Sequence, residues 1–143
     1  MNVLDSIPYR VGSTFEEHNV SLEFLKEFNA DSKYYASYRY SELYLFGRAF
    51  QAECYLHFWK GVLNTIQYKI HKENFDLFRD SLNEELPVDK PLKRDLYNER
   101  FALESYCNGI AVGLTQLNEN YFMLKISKNP SLPRIKSNKS NRS

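Results

Sequence analysis

Two runs of apolar residues, stepping alternately by four and three, constrain this chain most. Leu45, Ala49, Ala52, Leu56, Trp59, Leu63, Ile66 and Ile70 form the first. Leu103, Cys107, Ile110, Leu114, Leu117, Tyr121 and Leu124 form the second. On an α-helix such steps bring every member to one face, so the spacing predicts long helices that bury a seam. Phe46, Phe50, Cys54, Phe58 and Val62 make a further column beside the first run. A face that broad calls for at least two packing neighbours, as in a bundle, rather than a narrow two-stranded coil.

The punctuation of the chain divides this pattern into about four helices. Ile7-Pro8 disfavours helix in the lead-in. Ser13-Thr14-Phe15-Glu16 and Thr14-Phe15-Glu16-Glu17 both match a capping box, which predicts a first helix over about 15–28. Asp31 or Ser32 can cap a long helix over 33–70, with a kink near Gly47. A shorter helix follows over about 73–86, with Phe75, Phe78 and Leu82 inward and Pro87 as its stop. Pro91 can open a last helix from Leu92 to near Ile126. Gly109 and Gly113 on it would let another helix approach closely. The segment from Tyr121 to Ile126 could instead be a strand, and an α+β fold is the alternative. A β reading of 40–70 is set aside because so long a run needs turn signals, and none stands between Gly47 and Gly61. The expected fold is therefore all-α: a single helical domain over 1–126, followed by a disordered tail over 127–143.

Charge supports that division. The net charge of +1 hides an asymmetry. Six bases (Lys125, Lys128, Arg134, Lys136, Lys139 and Arg142) and no acid lie between Lys125 and Ser143. Removing those six from the 19 bases of the chain leaves 13 against 18 acids in residues 1–124. The expectation is an acidic body with a basic terminus. No apolar stretch in Met1 to Gly12 reaches signal-peptide length, and no run approaches the roughly 20 residues that span a bilayer. A cytosolic protein is expected, with Cys54 and Cys107 reduced and buried.

Motifs for familiar chemistry are missing. There is no Walker A loop, dinucleotide fingerprint, CxxC, HExxH or GxSxG. No cofactor and no metal are expected. Glu53 and His57, four apart, would share a helix face, where a carboxylate can orient an imidazole for acid–base work. The plainer reading is a surface pair worth a few tenths of a kcal/mol.

The densest local signal is the cluster Tyr34, Tyr35, Tyr38, Tyr40 and Tyr44 with Lys33, Arg39 and Arg48. Such rings can line the rim of a core, form a protein interface, or stack on single-stranded nucleic acid. The expected function is a non-enzymatic binding protein, such as a small regulator, adaptor, inhibitor or immunity-type protein. It would act through a helical surface, with Tyr34, Tyr35, Tyr38, Arg39 and Arg48 contacting a protein partner. Homo-oligomerisation is compatible with so much apolar surface, and nothing points to a membrane. The alternative is a nucleic-acid-associated protein whose tail bases, Lys128, Arg134, Lys136, Lys139 and Arg142, meet phosphates.

Overall fold

The computed structural model describes residues 3–37, 42–96 and 100–128. It is built mainly of strands, not helices. In chain order these are β1 (Leu22–Asn29), β2 (Ser32–Ser37), β3 (Glu42–Leu45), β4 (Arg48–Gln51), β5 (Glu53–Trp59), β6 (Val62–His71), then helix α1 (Phe75–Glu85), and β7 (Lys93–Arg94), β8 (Ala102–Cys107), β9 (Ile110–Gln116) and β10 (Tyr121–Lys128). Eight strands form one antiparallel sheet in the order β1-β2-β5-β6-β10-β9-β8-β7, and β3 and β4 form a separate hairpin. The all-α bundle is thereby overturned. Helix α1 stands where the 73–86 helix was expected, while β10 occupies the segment that could have been a strand.

Local chemistry explains the reversal. Lys60-Gly61 and Asn108-Gly109 have positive φ at both residues, as does Phe46-Gly47. Paired positive φ is the geometry of a tight two-residue hairpin turn, whose twist matches that of its strands. The turns therefore fold β3 onto β4, β5 onto β6, and β8 onto β9. Gly109 serves a turn and not a helix crossing. The four-three steps arise from strands interrupted by turns and a bulge. Cys54, Leu56 and Phe58 alternate inward on β5, and Ile66, Tyr68 and Ile70 do so on β6. Between them the register shifts, so that His57 faces Thr65 while Phe58 faces Leu63, leaving Asn64 as the extra residue. The extra residue turns an expected step of two into the step of three from Leu63 to Ile66. In the second run, Leu103, Leu114 and Leu124 are cross-strand neighbours on β8, β9 and β10.

One face of the large sheet carries the core. Directly opposed residues share a face, which places Cys54 with Tyr68, Leu56 with Ile66, and Ile126 with Val112. Helix α1 lays Phe78 and Leu82 on this face, and Phe78 meets Phe50 and Phe122 edge-on. The β3–β4 hairpin adds Leu43 and Leu45, and the lead-in adds Ile7 and Tyr9. Tyr9 donates or accepts a 2.6 Å bond with Ser37. Segment 12–14 runs beside the start of β6, with Gly12 N–H donating to Leu63 O and a bridge from Thr14 to Val62. The capping box does form, with the Thr14 N–H donating to Glu17 Oε2, and the Thr14 hydroxyl adds a second bond to that oxygen. It closes only a three-residue 3-10 turn, Phe15–Glu17.

β10 continues to Lys128, so Lys125 and Lys128 belong to the sheet and not to a tail. Arg134, Lys136, Lys139 and Arg142 lie outside the described residues, as do Tyr38, Arg39 and Tyr40.

Candidate interaction face

Helix α1 and the β3–β4 hairpin pack on the core face, and the opposite face carries exposed rings and charges of the sheet, with Thr65, Ala111 and Ser127 buried in its middle. Cross-strand register sets its rows. One runs Lys26, Tyr34, His57, Thr65, Ser127, Ala111, Tyr106. The next runs Glu23, Ala36, Tyr55, Gln67, Lys125, Gly113, Glu104, Lys93. Small residues occupy the middle, and rings and charges stand to either side.

An aromatic ladder enters this face from the β1 edge of the sheet, where β1 has no second strand partner among the described residues. Phe28, on the outermost strand and 55% exposed, meets Tyr34 edge-on at 5.3 Å. Tyr34 stacks on His57 at 4.7 Å with the rings 22° apart. Lys26 Nζ sits 4.6 Å over the Phe28 ring. His57 Nε2 is 2.6 Å from Ser32 Oγ. Burial, followed by the charge of Lys125, holds the His57 imidazole below its ordinary pKa. Burial alone raises the Tyr34 phenol.

Two carboxylates anchor the rest of the face. Tyr55 donates its hydroxyl to Glu53, and Lys69 reaches the same carboxylate at 4.0 Å. Burial first, then Glu53, pushes the Tyr55 phenol up to about 12. Lys69 also lies 4.5 Å over the Tyr121 ring. Towards β8, Tyr106 donates to Glu104 at 3.1 Å. Burial and a hydrogen bond with Asp95 raise the Glu104 pKa, against the opposing pull of Tyr106 and Lys125. Gly113 makes this arrangement possible. A Cβ there would stand 3.2 Å from Leu103 O and 3.3 Å from Glu104 Cγ, so the Glu104 stem lies over the vacant position.

The tyrosine cluster expected to act together is divided by the strand period. Tyr34 lies on the open face. Tyr35, one residue on, points to the core side and packs on Phe15 and Phe58. Arg48 belongs to the separate hairpin, 5.4 Å over Phe50, whose ring packs on α1. Tyr38 and Arg39 are outside the described residues. No helix among the described residues joins Tyr34, Tyr35 and Arg48. Phe28 and Tyr106 were missed, and His57 was paired with Glu53 because its contacts, Tyr34 and Ser32, come from another strand. The one local signal was alternation: Glu53, Tyr55 and His57 against Cys54, Leu56 and Phe58.

Glu53 and His57 do not form an acid–base pair. Four residues along a strand span about 13 Å, and each side chain has its own partner. The Ser32–His57 contact has the spacing of a nucleophile and its base. Ser32, however, is only 7% exposed, which shields its hydroxyl from a substrate. Cys54 is buried on the core face and its thiol is pushed up to about 12 by desolvation, while Cys107 is half-buried; both are free thiols. No group of His, Cys, Asp and Glu among the described residues could hold a metal ion. No helix among them is long and apolar enough to cross a membrane.

Comparison with protein-family models, with curated proteins and with solved structures finds no match to this chain.

Proposed function

We propose that this protein is a non-enzymatic cytosolic binding protein that docks a protein partner on the open face and free edge of its sheet. The ladder Phe28–Tyr34–His57 carries the reading. Aromatic rings with polar tips supply large contact area at low entropic cost, and they dominate the centres of protein interfaces. Strand β1 pairs only with β2 among the described residues, so its outer edge offers backbone groups to an added strand. Phe24, Leu25 and Phe28 are each about half exposed along it. The charges nearby are of both signs, with Lys26, Lys69 and Lys125 against Glu23, Glu53 and Glu104. A mixed pattern complements a protein surface, whereas a nucleic-acid backbone selects for bases alone. The two free thiols fit a reducing compartment.

The test is affinity capture from the native host with the full chain and with Phe28→Ala/Tyr34→Ala. Captures are run at low and high salt, with and without nuclease. The expected result is a protein that persists after nuclease treatment and is lost from the double variant. Truncating two interface anchors costs about 2 kcal/mol each, or roughly 30-fold in affinity apiece. Capture of nucleic acid alone, or an unchanged protein set with the variant, would overturn the reading.

A further inference from the structure

A notch lies where β10 ends and segment 12–14 takes over as the neighbour of β6. Ser127 is the last β10 residue paired to β6, opposite Thr65. Beyond it, Leu63 and Val62 pair with Gly12, Ser13 and Thr14 instead. The change of partner, together with the bulged Asn64, leaves a cleft of about 530 Å³ lined by Val11, Gly12, Trp59, Lys60, Val62 and Lys128, among others. That volume is in the range of small-molecule sites.

The chemistry of the lining is selective. Trp59 and Val62 face each other across the β5–β6 turn and are 45% and 41% exposed. A large ring left open to solvent is a stacking platform for another planar ring. Lys60 Nζ lies 5.8 Å over the indole, so a cation already stands at its face. Lys128 supplies a second cation to the cleft, and none of the lining side chains among the described residues is acidic. An apolar plate with one ammonium at its face and a second lysine lining the cleft matches a flat aromatic ring that carries an anionic group. Single-stranded nucleic acid and free nucleotides share that chemistry.

We propose that this notch binds a nucleoside phosphate, with the base stacked on Trp59 and the phosphate held by Lys60 and Lys128. The notch adjoins the aromatic ladder, since Trp59 stands opposite Ser32, which bonds His57, but Lys60 and Lys128 lie outside the ladder and their variants test the notch apart from the protein-binding role.

Trp59 is the only tryptophan in the chain, so its fluorescence reports the site directly. Adenosine monophosphate, adenosine, inorganic phosphate and a short oligothymidylate are titrated separately against the full chain. Adenosine monophosphate is expected to quench Trp59 saturably, with adenosine and phosphate each weaker by about tenfold or more. Lys60→Ala and Lys128→Ala should each weaken it by about tenfold, the value of one charge-assisted phosphate contact. Calorimetry with Trp59→Ala should show a comparable loss, and circular dichroism of each variant should match the parent. Tighter binding of the oligothymidylate would assign the source to a single strand, and equal or weaker binding would assign it to a free nucleotide. No saturable quenching at millimolar adenosine monophosphate, or binding unchanged in all three variants, would overturn the proposal.

Discussion

The two faces of the eight-stranded sheet are built from the same strands but by different rules. The core side stacks Leu56, Ile66, Tyr68, Leu114 and Leu124 almost without exposure under α1, the β3–β4 hairpin and the lead-in. The open side alternates rings, charges and small residues, and its side chains satisfy one another through Tyr55–Glu53, Tyr106–Glu104 and Ser32–His57. Packing makes the first face expensive to alter, because a deleted buried side chain loses its transfer free energy and leaves a cavity. The rings of the second face are partly exposed, so less buried volume is lost when one is removed. Stability is concentrated on one side, and the other is under less packing constraint.

Substitutions on each side sharpen that contrast. Phe78→Ala removes the α1 ring that joins Phe50, Phe46 and Phe122, and should cost about 3–5 kcal/mol in denaturant unfolding. Gly113→Ala comes next, at about 1–3 kcal/mol, because Leu103 O and the Glu104 stem must yield to a new Cβ. A neutral result there would mean that the Glu104–Gly113 contact is looser than its distances imply. Tyr106→Ala, at an exposed position of the same face, should change stability by less than about 1 kcal/mol. A cost like that of Phe78→Ala would erase the distinction between the faces.

The smallest effect is a slope with pH. His57 has a lowered pKa in the folded protein, so below its ordinary value of 6.5 the unfolded chain takes up a proton that the folded chain resists. Its contribution to stability is complete above about pH 6.5 and is lost as pH falls towards the depressed folded value. Groups packed beside it are Tyr34, Ser32 and the Lys125 charge. His57→Gln should flatten this part of the stability profile between pH 8 and pH 5. An unchanged slope would show that the imidazole is as free as in solvent.

The sequence exposed some of this architecture through particular residues. Phe75, Phe78 and Leu82 ahead of Pro87 announced α1, where helical spacing and a stop signal agree. Asn108-Gly109 is a strong hairpin signal, yet set within a four-three pattern it passed for a helical glycine. Lys60-Gly61 is a weaker one, because lysine seldom adopts positive φ. The corner at Ala52 between β4 and β5 has neither glycine nor proline, so 48–59 looked continuous. The Asn64 bulge then removed the period of two at the point where it would have decided between strand and helix. For the site, only Tyr34 was locally legible. Phe28 and His57 join it through pairings of β1 with β2 and of β2 with β5, and no spacing along the chain encodes those.

The central claim, that the open face and not the helix side meets a protein partner, is tested most directly by site-specific photocrosslinking. A photoreactive phenylalanine analogue is placed at Tyr34 or Tyr106 on the open face, or at exposed Glu84 on α1, and the full chain is irradiated in the native host. Crosslinked protein is expected from Tyr34 and Tyr106, with Glu84 at background. Crosslinks from Glu84 with none from the two tyrosine positions would contradict it.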